Sequence, residues 1–354
     1  MKKREKVAES QYVYFSKSEE SVIRQDTALK EEIENKINKA RKKKILLTVV
    51  YFVSAFAILL SGSFLAKRGI ERFLVLKNET KANTERALPQ KIRSLSDEAE
   101  KWAYIYGTHP ELENFDFPAG ILPDYALYYA ENQQTVGYIR LDGTQIDYPV
   151  VQAENNKYYL SHDFYGKTTS YGAIYASCVD DFKPLDRNTL LYGHNMYDGS
   201  RFAVLMNYKN LDYYRQHPVI EFDTLFEKHK WKIAAVYVTN GSIDSDNGYF
   251  FDFTFDNCSD TCFDQYIEEL SKRSLYETGI DIQRSDTILT LCTCSYEFDD
   301  ARLVVVCRML RDGESEKINK TDSAYKMTPV KYPSSYYDNP RKNPYKDDPK
   351  WYLY

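Results

Sequence analysis

The sequence predicts a mainly β fold, a barrel or a sandwich, preceded by one membrane-spanning helix. After Thr135, eight short runs rich in β-branched and aromatic residues are bounded by Gly, Asp, Asn or Pro. Two stretches with helical spacing, 201–217 and 259–276, interrupt these runs. Residues 45–66 form an uncharged apolar segment long enough to cross a bilayer as a helix. The eight runs are VGYIRLDG, QIDYPVVQ, GAIYAS, NTLLYGHN, VIEFDTLF, WKIAAVYVTN, TILTLCTC and ARLVVVCRML.

Charge is distributed unevenly along the 354 residues, whose formal net charge is −5. Residues 1–44 contain 13 Lys or Arg and 8 Asp or Glu, so this tail carries +5 and the remaining chain carries −10. An acidic body argues against nucleic acid as its partner. The length allows one large buried core or two modest ones.

The apolar segment 45–66 predicts an uncleaved membrane anchor. The alternatives are a buried helix of a soluble domain and a cleaved signal peptide. The long apolar run, the 44 residues before it and the lack of an A-x-A-like site disfavour the signal peptide. Residues 27–44 hold seven Lys or Arg and residues 67–84 hold five, so the positive-inside bias predicts a cytoplasmic N-terminus and an exported body. The predicted localisation is the cell membrane, crossed once.

Composition divides the chain into five predicted parts. Ser96 is the candidate N-cap of a helix within residues 95–107. The Pro content of the last part predicts an extended or disordered tail. The parts are a cytoplasmic tail (1–44), the anchor (45–66), a linker with an N-terminal helical extension (67–134), the β body (135–312) and a polar, Tyr- and Pro-rich tail (313–354).

The six cysteines show no compact disulfide framework. Cys292 and Cys294 alternate along one predicted strand, which makes a disulfide between them geometrically poor. Cys258 and Cys262 lie four residues apart at a predicted helix start, so a pair or metal ligation stays open there. Because no His or Cys pair at ligand spacing follows, we expect no metal site and no cofactor.

Three short segments carry the residues that could do chemistry. His194 follows an apolar strand in LLYGHNM, Cys294 ends the strand TLCTC, and Arg302 opens ARLVVVCR after the loop SYEFDD. Each residue taken singly has an ordinary structural explanation. Antiparallel pairing of the two strands around the short loop would, however, bring Cys294 and Arg302 side by side.

Together, the three side chains predict acyl transfer. A cysteine attacks a carbonyl as its thiolate, which a nearby cation favours. His194 can supply that charge and protonate the leaving amine. Arg302 has fixed donors for a carbonyl or an oxyanion. A papain-like protease is a weaker interpretation, because its cysteine begins a helix whereas Cys294 ends a strand.

These motifs resemble those of sortases. TLCTC fits the TLxTC signature, YGHN around His194 fits the histidine strand, and Arg302 follows Cys294 by eight residues, as in the family. The wider run 138–310, about half the chain, resembles the class B branch in the segments DYPVVQAENNKYYLSHDFYG, YGAIYAS, NTLLYGHNMYDGSRF and TLCTCSYEFDDARLVVV. Cys292 occupies the variable signature position, where a packed bystander is favoured over oxidative pairing.

The resemblance implies an eight-stranded sortase-type β barrel with N-terminal helices and a helix between strands six and seven, near residues 258–278. It implies a cysteine transpeptidase of a Gram-positive bacterium that cleaves a C-terminal sorting signal at a Thr–Gly or Thr–Asn bond through a thioester. The implied partners are secreted proteins that carry this signal and the amine of a lipid-linked peptidoglycan precursor. Cys294 would be the nucleophile, His194 the acid/base and Arg302 the oxyanion ligand, with Asn156, Thr293 and Arg302 binding substrate.

Two other functions stay open at this point. A pilin-polymerising sortase would use a Lys of another protein subunit as acceptor, and such enzymes commonly carry a lid with an acidic-aromatic motif over the site. Residues 113–126 contain acidic-aromatic pieces, but they precede the barrel as a class B N-terminal extension would. A wall-binding protein on an inactive sortase-like barrel would need no catalysis, which the intact Cys294, His194 and Arg302 disfavour.

Overall fold

The structure of this chain is a computed structural model that describes residues 17–241 and 251–337. Residues 1–16 of the predicted cytoplasmic tail and residues 338–354 of the predicted C-terminal tail lie outside the described residues. The chain divides into two compact units, Met1–Lys77 and Asn78–Tyr354.

The first unit is dominated by helix α1, which spans Lys17–Ser94 and continues past this unit's last residue. Within the described residues, its part Leu29–Ile70 is the one helix long and apolar enough to cross a bilayer. The apolar side chains of residues 45–66 are almost all exposed, as expected of a surface that would face lipid. The predicted span 45–66 therefore lies inside a candidate membrane helix.

The second unit begins its body with helices α2 (Glu98–Thr108) and α3 (Pro123–Glu131). The prediction of Ser96 as the N-cap is wrong, because the Asp97 carboxylate accepts the bond from the Glu100 N–H at 3.0 Å. An acceptor at this position satisfies a backbone donor that the first helical turn leaves open. A buried ion pair, Lys101 Nζ to Asp124 Oδ2 at 2.8 Å, joins the two helices.

Eight strands of the second unit form a closed barrel in the order β1-β2-β3-β4-β8-β9-β6-β5. Each of the eight predicted runs contains one of these strands, so the predicted fold is confirmed. A separate two-stranded sheet pairs β7 with β10. The strands are β1 (Thr135–Arg140), β2 (Asp147–Val151), β3 (Ile174–Ala176), β4 (Asn188–Tyr192), β5 (Val219–Thr224), β6 (Lys230–Asn240), β7 (Tyr276–Glu277), β8 (Ile288–Cys294), β9 (Ala301–Met309) and β10 (Ala324–Tyr325).

Side chains alternate between the inside and the outside of the barrel wall. On β8 and β9, Leu291 and Val305 face the interior core, together with Trp231 from β6. Cys292 and Val304 face outward into a second apolar cluster. Side chains of the inner face therefore fill the barrel interior, and side chains of this part of the outer face pack against a helix.

That helix is α5, Asp260–Arg273, and it lies in the chain between the sixth and seventh barrel strands, as predicted. Its N-cap is Ser259, whose hydroxyl accepts a bond from the Cys262 N–H at 3.3 Å. Phe263 and Tyr266 belong to the outer apolar cluster, so α5 covers the outer face beside the strand that carries Cys292. Shorter helical pieces are the 3₁₀ helix Ala203–Lys209 and α4, Leu211–Gln216, within the predicted insert 201–217.

Residues 313–337, called the C-terminal segment below, pack on the rest of the second unit. Of the two expected states, extended or disordered, disorder does not fit this part, because long-range contacts hold it. Its strand β10 pairs with β7. Lys331 is only 6% exposed and donates to Glu269 Oε2 of α5 at 3.2 Å. The C-terminal segment also contains two 3₁₀ helices, Lys320–Asp322 and Ser334–Tyr336.

Candidate active site

Cys294 and Arg302 form the last residue pair of the antiparallel β8–β9 ladder. Directly opposed residues of such a pair have Cα atoms about 4.5–5.5 Å apart and side chains on the same face. Because Cys292 and Val304 face outward and side chains alternate along a strand, the pair two residues further along, Cys294 and Arg302, also faces outward. The prediction that strand pairing places them side by side is confirmed.

His194 reaches the same edge of the barrel from β4, which runs parallel to β8. Their ladder pairs Tyr192 with Cys292, and His194 and Cys294 each lie two residues further along. Two hydrogen bonds continue the contact beyond the ladder. The Gly193 N–H donates to Cys292 O at 3.2 Å, and Asn195 Nδ2 donates to Cys294 O at 3.0 Å. The imidazole-bearing and thiol-bearing segments are thus joined directly by hydrogen bonds.

The His194 ring is oriented by a backbone carbonyl. Its Nε2 lies 2.8 Å from Leu160 O. A carbonyl oxygen can only accept, so Nε2 carries a hydrogen, and Nδ1 is the nitrogen left for proton transfer. A close turn at Gly172 supports this contact: with φ +57°, an added Cβ would lie 2.5 Å from Tyr159 O and 3.0 Å from His194 Cδ2.

The Arg302 guanidinium is held at the end of β9 by the loop before it. Nη2 pairs with Asp300 Oδ1 at 2.7 Å, and Nη1 donates to Ala301 O at 3.0 Å. Asp300 has φ +60°, an uncommon backbone conformation for a non-glycine residue, and its carbonyl accepts from the Gly241 N–H at 2.8 Å. Among the described residues, these two side-chain contacts use two of the five guanidinium donors of Arg302.

The two thiols of the TLCTC strand differ in their surroundings. Cys292 is buried, and burial raises its pKa to about 12, against the opposing effect of Arg302. It therefore stays a protonated thiol near neutral pH and is a poor nucleophile. Cys294, at the strand end, is partly exposed. All six cysteines lie within the described residues and are free thiols.

Comparison with known proteins agrees with this geometry. A family model for the sortase domain matches residues 139–310. Sortase B of Listeria monocytogenes is 32% identical over 176 residues, which are 49% of this chain and 69% of that protein. Sortase B of Staphylococcus aureus is 28% identical over 272 residues, 76% of this chain and 99% of that protein. The chain belongs to the class B sortases. It is accordingly a sortase transpeptidase.

Solved structures show the same fold for this class B sortase. The crystal structure of Staphylococcus aureus sortase B matches with a TM-score of 0.51 and 28% identity, over 66% of this chain and 99% of that one. A sortase B complexed with triglycine matches with a TM-score of 0.51 and 26% identity, over 67% and 100% of the two chains. The shared part is long enough to include the barrel.

The other two residues predicted to bind substrate in this sortase, Thr293 and Asn156, make contacts within the chain. Thr293 is buried, and its hydroxyl donates to Gly193 O at 2.8 Å, so it ties the cysteine strand to the histidine strand. The Asn156 side chain accepts from the Cys178 N–H at 2.7 Å and lies 3.5 Å from Ser177 Oγ. The structure thus places the segments of Cys294, His194 and Arg302 at one edge of the barrel, whereas the partners of the Asn156 side chain are Ser177 and Cys178. Substrate contacts by Thr293 and Asn156 stay predictions.

The sortase site also contains supporting residues that sequence reasoning missed. Lys209, at the end of the 3₁₀ helix, donates to Ser295 Oγ at 3.0 Å and pairs with Glu297, which in turn bonds Ser295. Contacts across 86 residues, such as Lys209 to Ser295, leave no local pattern. The neighbouring positions of Asp300 and Arg302 were a usable local signal. Asn195 supports the thiol segment through Cys294 O, and Leu160 O supports the imidazole of His194. Asp300 supports the guanidinium of Arg302.

Proposed function

We propose that this sortase is a membrane-anchored cysteine transpeptidase that cleaves a C-terminal sorting signal and joins the protein to a cell-wall amine. The observation that carries the proposal is the pairing of Cys294 with Arg302 at a barrel edge that also receives His194. A nucleophile, a proton donor and an oxyanion ligand on three adjacent strands are the parts that acyl transfer needs.

In the proposed first step, the Cys294 thiolate attacks the carbonyl carbon of the scissile bond. The remaining guanidinium donors of Arg302 stabilise the oxyanion that forms. Protonated His194 gives its Nδ1 proton to the leaving amine, while its Nε2–H stays on Leu160 O. The amide bond breaks and a thioester on Cys294 forms.

In the proposed second step, an acceptor amine attacks the thioester carbonyl. Nδ1 of His194 takes the proton that the amine loses, and the Cys294 thiolate leaves. The same imidazole therefore acts as acid and then as base, which restores the starting state. The new amide bond links the sorted protein to the acceptor.

The proposal also includes the chemical nature of the acceptor amine and the orientation of the membrane anchor. A related sortase B has been solved with triglycine, whose terminal amine represents a peptide acceptor, and this supports a cell-wall peptide amine as the natural nucleophile. The candidate membrane helix and the basic residues of 27–44 support an N-terminus in the cytoplasm and a barrel outside the cell. This orientation would place Cys294 where exported proteins and lipid-linked precursor meet.

The test uses the full chain in detergent micelles with a peptide that contains a Thr–Asn or Thr–Gly bond. Intact-mass spectrometry should show an acyl adduct that maps to Cys294, and added triglycine should convert it to a ligated product. Cys292→Ala is the matched control, because it removes a thiol from the same strand and should keep the adduct. An adduct that persists in Cys294→Ala would refute the assignment.

A competition experiment separates the acceptors. Equal amounts of triglycine and of a peptide whose one amine is a Lys side chain are offered to the preformed adduct. Preference for triglycine supports the cell-wall reaction, whereas preference for the Lys peptide would favour pilin polymerisation. Peptide binding without any cleavage in the wild-type chain would favour an inactive wall-binding protein.

A further inference from the structure

The C-terminal segment reaches the loop that joins the catalytic thiol to the catalytic arginine. This segment follows residue 310, where the match to the sortase domain ends. The Tyr336 and Phe298 rings meet edge to face, with centroids 6.5 Å apart and planes at 89°. Tyr332 stacks on Tyr336 with centroids 3.8 Å apart and planes at 9°. An element outside the shared domain therefore contacts the active-site loop.

Phe298 occupies the middle of this loop, four residues after Cys294 and four residues before Arg302. The loop is closed by its own backbone bonds, Ser295 N–H to Ala301 O at 2.9 Å and Ala301 N–H to Phe298 O at 3.2 Å. Because these bonds tie the two ends of the loop to each other, a shift of Phe298 would act on the positions of both Cys294 and Arg302.

The loop is held from two sides. On one side, Lys209 binds Ser295 and Glu297 through polar contacts. On the other side, the rings of Phe298 and Tyr332 both pack against the barrel's interior core, and Tyr336 contacts both of these rings. The aromatic contact is the one that reaches the middle of the loop from the C-terminal segment.

The base of the aromatic support is itself fixed. The Lys331 N–H donates to Lys272 O at 3.0 Å, and its ammonium pairs with Glu269, both on α5. Pro333, which is buried, follows shortly after and restricts the backbone before the 3₁₀ helix Ser334–Tyr336. The stacked pair Tyr332 and Tyr336 therefore follows directly after a residue, Lys331, that is fixed on α5.

We propose that Tyr336, stacked on Tyr332, is a positioning residue that holds the loop between Cys294 and Arg302 in the geometry of transpeptidation. The proposal rests on the proposed function of these two residues. Tyr336 is 39% exposed, so its ring contributes little to the buried core, and its contact with Phe298 is directed at the loop. Its loss should therefore alter the site more than the fold.

The experiment compares Tyr336→Ala with wild type in the full chain. The kcat is expressed per labelled Cys294, with the thiol label on Cys294 quantified by peptide mapping because the other cysteines are free thiols too. An edge-to-face pair of this kind supports a fall in kcat of about 2- to 10-fold. Tyr336→Phe keeps the ring and should restore the wild-type rate. Tyr325→Ala is the matched control, because this tyrosine lies on the same segment, is 64% exposed and is placed in β10, paired with β7.

A purely structural role predicts different results. In that case the loss of rate would follow a lowered melting temperature and would disappear on cooling, which would overturn the proposal. A positioning role predicts an unchanged melting temperature and a changed pH profile of kcat/KM, because the surroundings of the thiol and the guanidinium change. An equal loss in Tyr336→Phe would also overturn it, since the ring contact would then not be the cause.

The result for wild type separates this proposal from the proposed function. If the wild-type chain forms no adduct on Cys294, the proposed function fails. If wild type forms the adduct and Tyr336→Ala turns over at the same rate, the positioning role of Tyr336 is refuted and the proposed function stands.

Discussion

Each end of the β8–β9 ladder carries one arginine of β9, and the two arginines differ in their partners and in their exposure. Arg302 and Arg308 lie on the same face of β9, six residues apart. The Arg302 side chain is 27% exposed and pairs with one oxygen of Asp300 within its own loop. The Arg308 side chain is 1% exposed and binds both carboxylate oxygens of Glu314, at 2.6 and 2.8 Å.

The difference shows how one strand serves two purposes. At the far end, the Arg308 fork is matched by a carboxylate that also accepts from Lys232 at 2.7 Å, so the charges there are paired with one another. At the site end, Arg302 is more exposed and, within the described part of the chain, pairs with a single carboxylate oxygen. A guanidinium with a bidentate partner contributes to stability, and one with unused donors can bind a substrate.

The largest expected effect comes from Arg302→Lys, which keeps the charge and removes the guanidinium fork. We expect kcat/KM for a sorting peptide to fall about 100- to 1000-fold, the range found when one oxyanion donor is lost. Steady-state kinetics would measure this loss, and thermal unfolding should be close to wild type. A rate near wild type would show that Arg302 does not act on the oxyanion.

Arg308→Met makes the opposite change at the other end of the strand. We expect the free energy of unfolding to fall by roughly 1–3 kcal/mol, because Glu314 loses its principal partner. Turnover per folded molecule should stay near the wild-type value. Urea denaturation and active-site labelling together check this, and a selective loss of kcat would contradict the division between the two ends.

Gly172→Ala tests the support of His194. The added methyl group would clash with Tyr159 O and press on the imidazole, and the positive φ adds about 1–2 kcal/mol of strain. We expect kcat to fall about tenfold, with a modest decrease in stability. Gly313→Ala, also at positive φ but with nothing within 4 Å of the added carbon, is the control for backbone strain. An equal loss of activity in both variants would argue against the His194 contact.

The smallest effect concerns acid stability. Hydrogen bonds from Arg308 hold the pKa of Glu314 well below its usual range, against the effect of its partial burial. Because the folded pKa lies below the unfolded value, the pair contributes fully above about pH 4.3, and its contribution falls as the pH decreases from there. The stability difference between wild type and Arg308→Met should therefore shrink between about pH 6 and about pH 3 in calorimetry. A constant difference would exclude the ion pair as its source.

The β strands and the central pair of site residues could be predicted from the sequence, because their signals are local. Alternating β-branched and aromatic residues mark each strand, and the short loop between Cys294 and Arg302 allows little except a hairpin. The position of α5 followed from its apolar spacing. His194 needed the family motif, because its parallel partner β8 lies about 100 residues further along the chain.

The remaining features depend on contacts between distant residues. No pattern near His194 indicates that its ring bonds Leu160 O, 34 residues away. The C-terminal segment looked polar and Pro-rich, yet Lys331 is buried against Glu269 of α5. The choice of Asp97 over Ser96 as helix cap was a shift of one residue, which is within the usual uncertainty of helix boundaries.

The parallel pairing of β4 with β8 has a consequence for how the chain folds. His194 and Cys294 come from segments that a ribosome makes a hundred residues apart, and β8 belongs to the final third of the barrel. A chain whose β8 has not docked lacks the strand that pairs with β4, so the segments of His194 and Cys294 come together only when β8 docks. Closing this long chain loop makes assembly slow in comparison with local hairpins. The proposed acylation centre would therefore be complete only after this slow step.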